Sequence, residues 1–151
     1  MKPIIFLFLI TALFGVSAFA QNIKPKVPAL PADIFNWNDE NSDKILHNAV
    51  IKTRLKKLLG KKNYASFLES FETLAPIEKN GKILFSSGCL IHACQHLESA
   101  IAVDLVNKTI HAAIYREDEQ TKYFNEKAGK TPKSITNWAN RLISLKNKIR
   151  F

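Results

Sequence analysis

Apolar residues recur with the period of a helix in several parts of the chain. Residues 44–59 contain no glycine or proline, and Gly60 suits the left-handed residue that ends a helix, so a first helix is predicted there. A second helix, ended by Pro76, is predicted from an apolar stripe at Tyr64, Phe67, Leu68, Phe71 and Leu74. A last helix, started by Thr131-Pro132, is predicted from the stripe Ile135, Trp138, Ala139, Leu142, Leu145 and Ile149.

The period changes to that of β-strands in the middle of the chain. A short strand at residues 83–85 is predicted after the Asn80-Gly81 turn, and another at residues 122–124. Two longer strands, at residues 100–106 and 109–115, flank the link Asn107-Lys108, which is the spacing of a hairpin. Because helices precede and follow the strands, the order predicts an α+β fold, a single domain with an antiparallel β-sheet and flanking α-helices.

The alternation within this hairpin predicts its two faces. If Val106 faces Thr109, one face carries the apolar residues Ile101, Val103, Leu105, Ile110, Ala112 and Ile114. The other face then places Asp104 across from His111, either as an ordinary cross-strand contact or as an acid–base pair.

The N-terminus has the organisation of an export signal. Lys2 precedes an apolar run at residues 4–16, and small residues at 18 and 20 predict cleavage after Ala20, so residues 1–20 are interpreted as a signal peptide. An N-terminal anchor helix is the alternative. Residues 21–41, with prolines at 25, 28 and 31, are predicted to be an extended lead-in whose Phe35 and Trp37 pack on the body. Residues 42–151 then form the α+β domain.

The chain is strongly basic, with 22 Lys and Arg against 13 Asp and Glu and a net charge of +9. A run of bases in the first helix could bind an anionic envelope surface, or be an ordinary solvated face, with members at Lys52, Arg54, Lys56, Lys57, Lys61 and Lys62. Nucleic acid is not predicted as a partner, because export removes it and no recognised binding module is present.

The candidate chemistry lies in residues 88–96, Gly-Cys-Leu-Ile-His-Ala-Cys-Gln-His. In an exported chain, Cys89 and Cys94 favour a disulfide that closes a tight loop with His92 near its tip. The alternative is a metal site made of Cys89, His92, Cys94 and His96. No motif assembles a nucleophile, a base and oxyanion donors, so neither enzymatic activity nor a cofactor is predicted.

This loop, together with residues 100–105 (Ala-Ile-Ala-Val-Asp-Leu) and 111–115 (His-Ala-Ala-Ile-Tyr), resembles the inhibitor of vertebrate lysozyme (Ivy) family. That family's loop reads Cys-Lys-Pro-His-Asp-Cys, preceded by a strand and followed by a hairpin. The resemblance implies an α+β fold, a periplasmic location with secretion as the alternative, inhibition of c-type lysozymes or related muramidases, and it admits a homodimer. It also implies that His92 enters the lysozyme cleft and that Cys89–Cys94 staples the loop.

The chain departs from the family's loop at Leu90, Ile91 and Ala93, which stand for Lys, Pro and Asp. Leu90 and Ile91 are expected to present an apolar tip, and Ile91 lacks the backbone stiffness of proline. Vertebrate c-type lysozymes are basic, so a basic inhibitor is expected to be repelled at long range and to associate slowly. A relative with another target, such as the cell's own lytic transglycosylases, is the alternative within the family.

Overall fold

The computed structural model describes residues 27–149, so the predicted signal peptide at residues 1–20 lies outside the described residues. A short 3-10 turn, Ile34–Asn36, precedes three helices, α1 (Asp43–His47), α2 (Ala49–Glu69) and α3 (Lys133–Ile149). The strands are β1 (Thr73–Leu74), β2 (Glu78–Asn80), β3 (Ile83–Cys89), β4 (Leu97–Asp104), β5 (Thr109–Arg116) and β6 (Lys122–Asn125). No helix within residues 27–149 combines the length and apolar character needed to cross a bilayer.

The strands form one antiparallel sheet with the order β1-β3-β4-β5-β6. Strands β1 and β2 share the remaining edge of β3, where β1 pairs with Gly88 and Cys89 and β2 pairs with residues 83–85. The helices flank this sheet, which confirms the predicted α+β architecture.

Apolar side chains cover both faces of the sheet. One core, which includes Ile51, Leu55 and Phe67 of α2, packs against Ile101 and Ile110. The opposite core joins the sheet to α3 and consists of Phe85, Ala100, Ala102, Ala113, Tyr115, Ile135, Trp138, Ala139 and Leu142. The alanines of β4 and β5 leave room for the large Trp138 side chain, so α3 packs close to the sheet.

The first predicted helix is divided where the sequence pattern showed no break. Asn48 has an extended backbone (φ −65°, ψ 122°), and its side-chain oxygen accepts hydrogen bonds from the N–H groups of Val50 and Ile51. It therefore caps α2 and separates it from α1. The predicted stop at Gly60 is confirmed as an interruption, because Gly60 is non-helical at φ 68° and the helix resumes beyond it.

Two further expectations were partly wrong. The second predicted helix does not continue to Pro76, because α2 ends at Glu69 and Leu74 lies in β1. Trp37 is buried at 1% exposure and donates its indole N–H to Asp33, whereas Phe35 is 48% exposed. Only Trp37 packs on the body as predicted.

The predicted hairpin is confirmed, but in another register. Asp104 pairs with Thr109 and Ala102 pairs with His111, so residues 105–108 form the link. A shift of two residues leaves every side chain on its predicted face, which is why the apolar face is correct. The Asp104–His111 pair is wrong: the His111 ring contacts the Thr109 hydroxyl at 3.0 Å and the Asn125 amide oxygen at 2.6 Å.

Asp104 instead holds the link between β4 and β5. Its carboxylate accepts hydrogen bonds from the backbone N–H groups of Val106 and Asn107 and from the Asn107 side-chain amide, at 2.8–2.9 Å. Partial burial raises the pKa of the Asp104 carboxyl, but these hydrogen bonds outweigh it, so the pKa lies below its usual value. The ionised form therefore stabilises the fold.

Replacing Asp104 with alanine is expected to lower the free energy of unfolding by about 1–2 kcal/mol at pH 7. Because the pKa is lowered on folding, this contribution is present above the unfolded-state pKa and is lost as the pH falls through the folded-state value. Urea unfolding at pH 7 and at pH 3 should show the difference from wild type shrinking in acid. Asp104→Asn, which keeps an acceptor oxygen, should retain part of the stability, and a difference unchanged in acid would contradict the assignment.

Candidate functional site

The cysteine-bearing segment is the connection of the β3–β4 hairpin. Cys89 pairs with Glu98 at the last position of the strand ladder, and residues 90–96, called the loop here, project beyond it. A disulfide joins Cys89 to Cys94 with a Cα–Cα distance of 5.0 Å, which confirms the predicted bridge. With both sulfurs bonded to each other, the alternative metal site at Cys89, His92, Cys94 and His96 is wrong. Among residues 27–149, no group of three or more His, Cys, Asp and Glu side chains could hold a metal ion.

Backbone hydrogen bonds hold the loop in addition to the disulfide. The Leu90 N–H donates to the Leu97 carbonyl at 3.1 Å and closes the base of the loop. The Ala93 N–H donates to the Leu90 carbonyl at 2.9 Å and makes a β-turn, and the Leu97 N–H returns to the Ala93 carbonyl at 3.0 Å. The loop is therefore a pair of successive turns.

His92 occupies the third position of that first turn. Its φ is 63°, as a type II turn requires at this position, and its side chain is exposed. Within residues 27–149 the imidazole makes no hydrogen bond, so both ring nitrogens are available to another molecule. Ile91 occupies the second position of the turn, where type II turns favour proline and where the family loop has proline. Its side chain is 51% exposed, whereas Leu90 and Ala93 are half-buried. The exposed tip of this first turn is thus Ile91 and His92.

The strand before the loop is held from the side by the segment that follows α2. A Cβ atom on Gly88 would lie 2.9 Å from the Thr73 carbonyl oxygen, so this close approach requires glycine. Beside it the Glu72 N–H donates to the Cys89 carbonyl at 3.2 Å. The first arm of the loop therefore starts from a fixed backbone.

Glu98 supports the second arm of the loop. Its side chain is buried, with 8% exposure, and one carboxylate oxygen accepts the backbone N–H of Gln95 at 2.9 Å. The other oxygen accepts the indole N–H of Trp138 in α3 at 3.2 Å. The carboxylate thus links the loop to the core under α3. Sequence reasoning missed this residue because nothing in the order of residues shows that Trp138 reaches it.

Glu117 fixes the end of the loop to the far side of the hairpin. The Glu117 N–H donates to the His96 carbonyl at 2.9 Å, and the Glu117 carboxylate contacts the His96 ring. His96 is therefore already engaged within the fold, unlike His92.

A family model described as inhibitor of vertebrate lysozyme (Ivy) matches residues 50–145, which is more than half of the chain. The chain belongs to the Ivy family. The matched region runs from the start of α2 into α3, so it contains the whole sheet and the loop. No curated protein and no solved structure matches the chain. Membership in the Ivy family confirms the resemblance inferred from the loop and the hairpin.

Reducing the disulfide of this Ivy family chain is expected to lower the free energy of unfolding by about 2 kcal/mol, the chain-entropy value for so short a loop. The measurement is urea unfolding with and without dithiothreitol. The double variant Cys89→Ala/Cys94→Ala is the control and should be insensitive to the reductant. Equal unfolding midpoints for the oxidised and reduced wild type would contradict a stabilising bridge.

Glu98→Ala is expected to speed amide hydrogen exchange at Gln95 about fivefold, because the variant removes the carboxylate oxygen that accepts the Gln95 N–H. Exchange rates measured by NMR on the variant and on wild type check this. Glu78→Ala, which removes an exposed carboxylate on β2, is the control and should leave exchange at Gln95 unchanged. Equal exchange at Gln95 in Glu98→Ala and wild type would show that the loop does not need this support.

Proposed function

We infer that this chain is an exported lysozyme inhibitor that places the loop in the active-site cleft of a c-type lysozyme or a related muramidase. Membership in the Ivy family supports a lysozyme as the target. The observation that carries the proposal is the conformation of His92, whose exposed imidazole makes no hydrogen bond within residues 27–149 and lies on a turn inside the loop that the Cys89–Cys94 disulfide closes. The chain acts by occupying the cleft and carries out no reaction.

The chemistry of the cleft suits such a tip. A glycosidase of this kind carries two carboxyl groups on either side of the scissile bond. An imidazole inserted between them can donate a hydrogen bond to a carboxylate, and its charged form is attracted by both. Because the turn and the disulfide already fix the loop, little conformational entropy is lost when His92 docks.

The apolar part of the tip directs the choice of target. Ile91 lies next to His92 and is half-exposed and apolar. Contact with a nonpolar wall of the cleft would remove its side chain from water and so add to the binding free energy, whereas a polar wall would not. We therefore propose that the target presents an apolar surface next to its catalytic carboxylates.

Residues 1–20 are proposed to direct export and to be removed after Ala20, which places the inhibitor in the periplasm or outside the cell. An oxidising compartment is also where the Cys89–Cys94 bridge persists. N-terminal sequencing of protein recovered from a periplasmic extract tests this step. A chain that starts at Gln21 is expected, and one that retains residues 1–20 would contradict cleavage.

The decisive experiment is a titration of muramidases with the purified protein. A panel should contain vertebrate c-type lysozymes and bacterial lytic transglycosylases, with residual cell-wall lysis as the readout. Stoichiometric inhibition of at least one c-type enzyme is expected. If only the bacterial enzymes are inhibited, the target is a related muramidase and not a c-type lysozyme. If no enzyme of the panel is inhibited at a large excess of the protein, the proposal is refuted.

The charge of the chain gives a second test. Without Lys2, the exported chain keeps 21 Lys and Arg against 13 Asp and Glu, so its net charge of +8 repels it from a basic lysozyme, and salt screens this repulsion. The association rate constant measured by stopped flow is expected to rise between 20 and 300 mM salt, about tenfold at most. A steep fall of the rate with salt would indicate an acidic target instead.

The exposed lysines of α2 favour a second candidate function, binding to an anionic envelope surface. Within residues 27–149, none of them forms an ion pair; they are Lys52, Lys56, Lys57, Lys61 and Lys62. Co-sedimentation with vesicles that contain anionic lipid should then weaken steeply with salt. Absent or salt-insensitive binding would remove this candidate.

A further inference from the structure

A groove of about 560 Å³ lies at the end of the sheet away from the loop. It is bounded by the segment before the 3-10 turn, by α2, by the link between β4 and β5, and by the residues that follow β6. Strand β4 separates the groove from the loop by roughly 23 Å, at about 3.3 Å per residue. The volume is in the range of small-molecule sites.

The walls of the groove are apolar. Val27, Pro28, Leu30 and Leu58 line it, and Leu30 and Leu58 pack at their inner sides against the main core. Val27 is 52% exposed although it is a hydrophobic residue. An alkyl chain in the groove would cover this surface and gain the free energy of removing it from water.

The floor of the groove is an ion pair that is already satisfied. The Arg54 guanidinium donates to both oxygens of Glu126, to the Lys108 carbonyl at 2.7 Å and to the Pro28 carbonyl at 3.2 Å. Glu126 is the only acidic side chain that lines the described groove, and Arg54 neutralises it. The floor therefore contributes no net charge.

Three lysines remain at the groove, Lys57, Lys108 and Lys127. All three are exposed, and within residues 27–149 none forms an ion pair. Lys127 donates to the Asn107 carbonyl at 3.4 Å, which keeps its ammonium group beside the link. Three cations beside an apolar wall complement an anionic head group attached to an apolar chain.

We propose that this groove binds an anionic amphiphile, a single alkyl or acyl chain that ends in a carboxylate or a phosphate. The chain lies along Val27, Leu30 and Leu58, and the head group lies among Lys57, Lys108 and Lys127. This site is independent of lysozyme inhibition, because it lies at the opposite end of the sheet from His92.

The test is isothermal titration calorimetry of the purified protein with decanoate and decyl phosphate. Binding with a Kd on the order of 10–100 µM is expected for a ligand of this size. Decyltrimethylammonium has a similar chain and the opposite charge, and acetate and inorganic phosphate have the head groups alone; none of the three should bind. Equal binding of the cationic probe, or of either head group alone, would overturn the proposal, as would no binding of the two anionic amphiphiles.

A pair of double variants locates the site. Lys57→Ala/Lys127→Ala is expected to raise the Kd of decanoate about tenfold, because each removes an exposed ion pair to the ligand. Lys52→Ala/Lys61→Ala removes the same charge from exposed positions of α2 outside the groove and should change the Kd less than twofold. Equal losses in both double variants would show general attraction to a basic surface and overturn the site.

The apolar wall has its own variant. Val27→Ser exchanges an exposed side chain, so the fold should not depend on it, and the Kd for decanoate should rise severalfold. An unchanged Kd would contradict the placement of the alkyl chain. Lysozyme inhibition by Val27→Ser, which keeps the net charge, is expected to match wild type, which keeps this test separate from that of the proposed function.

Discussion

His92→Ala is expected to raise the inhibition constant against a susceptible lysozyme about 30- to 1000-fold, the loss typical of a central interface residue. The imidazole is the only polar side chain among the exposed tip residues Ile91 and His92. In the proposed complex, its removal leaves the cleft carboxylates without a hydrogen-bond donor that alanine cannot replace. Steady-state inhibition, measured with excess substrate and several concentrations of the variant, gives the constant directly.

The fold should survive this substitution. His92 is exposed and makes no side-chain hydrogen bond within residues 27–149. The substitution therefore changes the free energy of unfolding only through the left-handed backbone conformation at this position. Alanine at such a φ loses about 1 kcal/mol, whereas asparagine tolerates it better. His92→Asn should therefore unfold close to wild type and still inhibit poorly, which separates the role of the imidazole from that of the backbone.

His47→Ala is the matched control for His92. His47 is also exposed, but it lies at the end of α1, so this variant should inhibit like wild type. Full inhibition by His92→Ala would show that the contact is made by other residues. Equal losses in both histidine variants would point to a general effect of charge and not to the tip of the loop.

The sequence was sufficient for features that depend on neighbours along the chain. The position of the Cys89–Cys94 bridge, the interruption at Gly60 and the apolar face of the β4–β5 hairpin all follow from local spacing. The register of that hairpin does not follow from local spacing. The Asp104 carboxylate accepts the backbone N–H groups of Val106 and Asn107, and these hydrogen bonds favour the four-residue link. A two-residue and a four-residue link leave the same alternation, so the pattern cannot distinguish them.

Polar contacts between residues far apart in the chain could not be predicted from the sequence. The support that Glu98 gives the loop requires Trp138 of α3 to reach β4 across the core. Arg54 appeared only as one base in a basic run, yet it is 4% exposed and partnered, unlike the lysines around it. No spacing along α2 distinguishes the buried base, since its partner Glu126 follows β6, far along the chain. Tertiary contacts determine which charges are buried.

The Arg54–Glu126 pair joins four parts of the fold. Through its guanidinium, Arg54 ties α2 to Glu126 after β6, to the carbonyl of Lys108 in the hairpin link and to the carbonyl of Pro28. Glu126 in turn accepts the backbone N–H of Ile110 at 2.7 Å. Loss of either side chain therefore leaves several buried polar groups without a partner.

Arg54→Ala is expected to lower the free energy of unfolding by about 3–5 kcal/mol, because it leaves the carboxylate of Glu126 without its cation in a mostly buried site. Urea unfolding followed by circular dichroism gives the value, and it should change little between 50 mM and 1 M salt, since a buried pair is weakly screened. Arg54→Lys should recover only part of the loss, because an ammonium group cannot reach all three acceptors at once.

The neighbouring base Lys57 provides the matched control for Arg54. It lies on the same helix and is exposed, so Lys57→Ala should stay within about 0.5 kcal/mol of wild type. If Arg54→Ala costs as little as Lys57→Ala, the pair does not hold these segments together. In a double-mutant cycle with Glu126→Ala, the double variant should be less destabilised than the sum of the single ones, because removing both charges leaves neither unpaired.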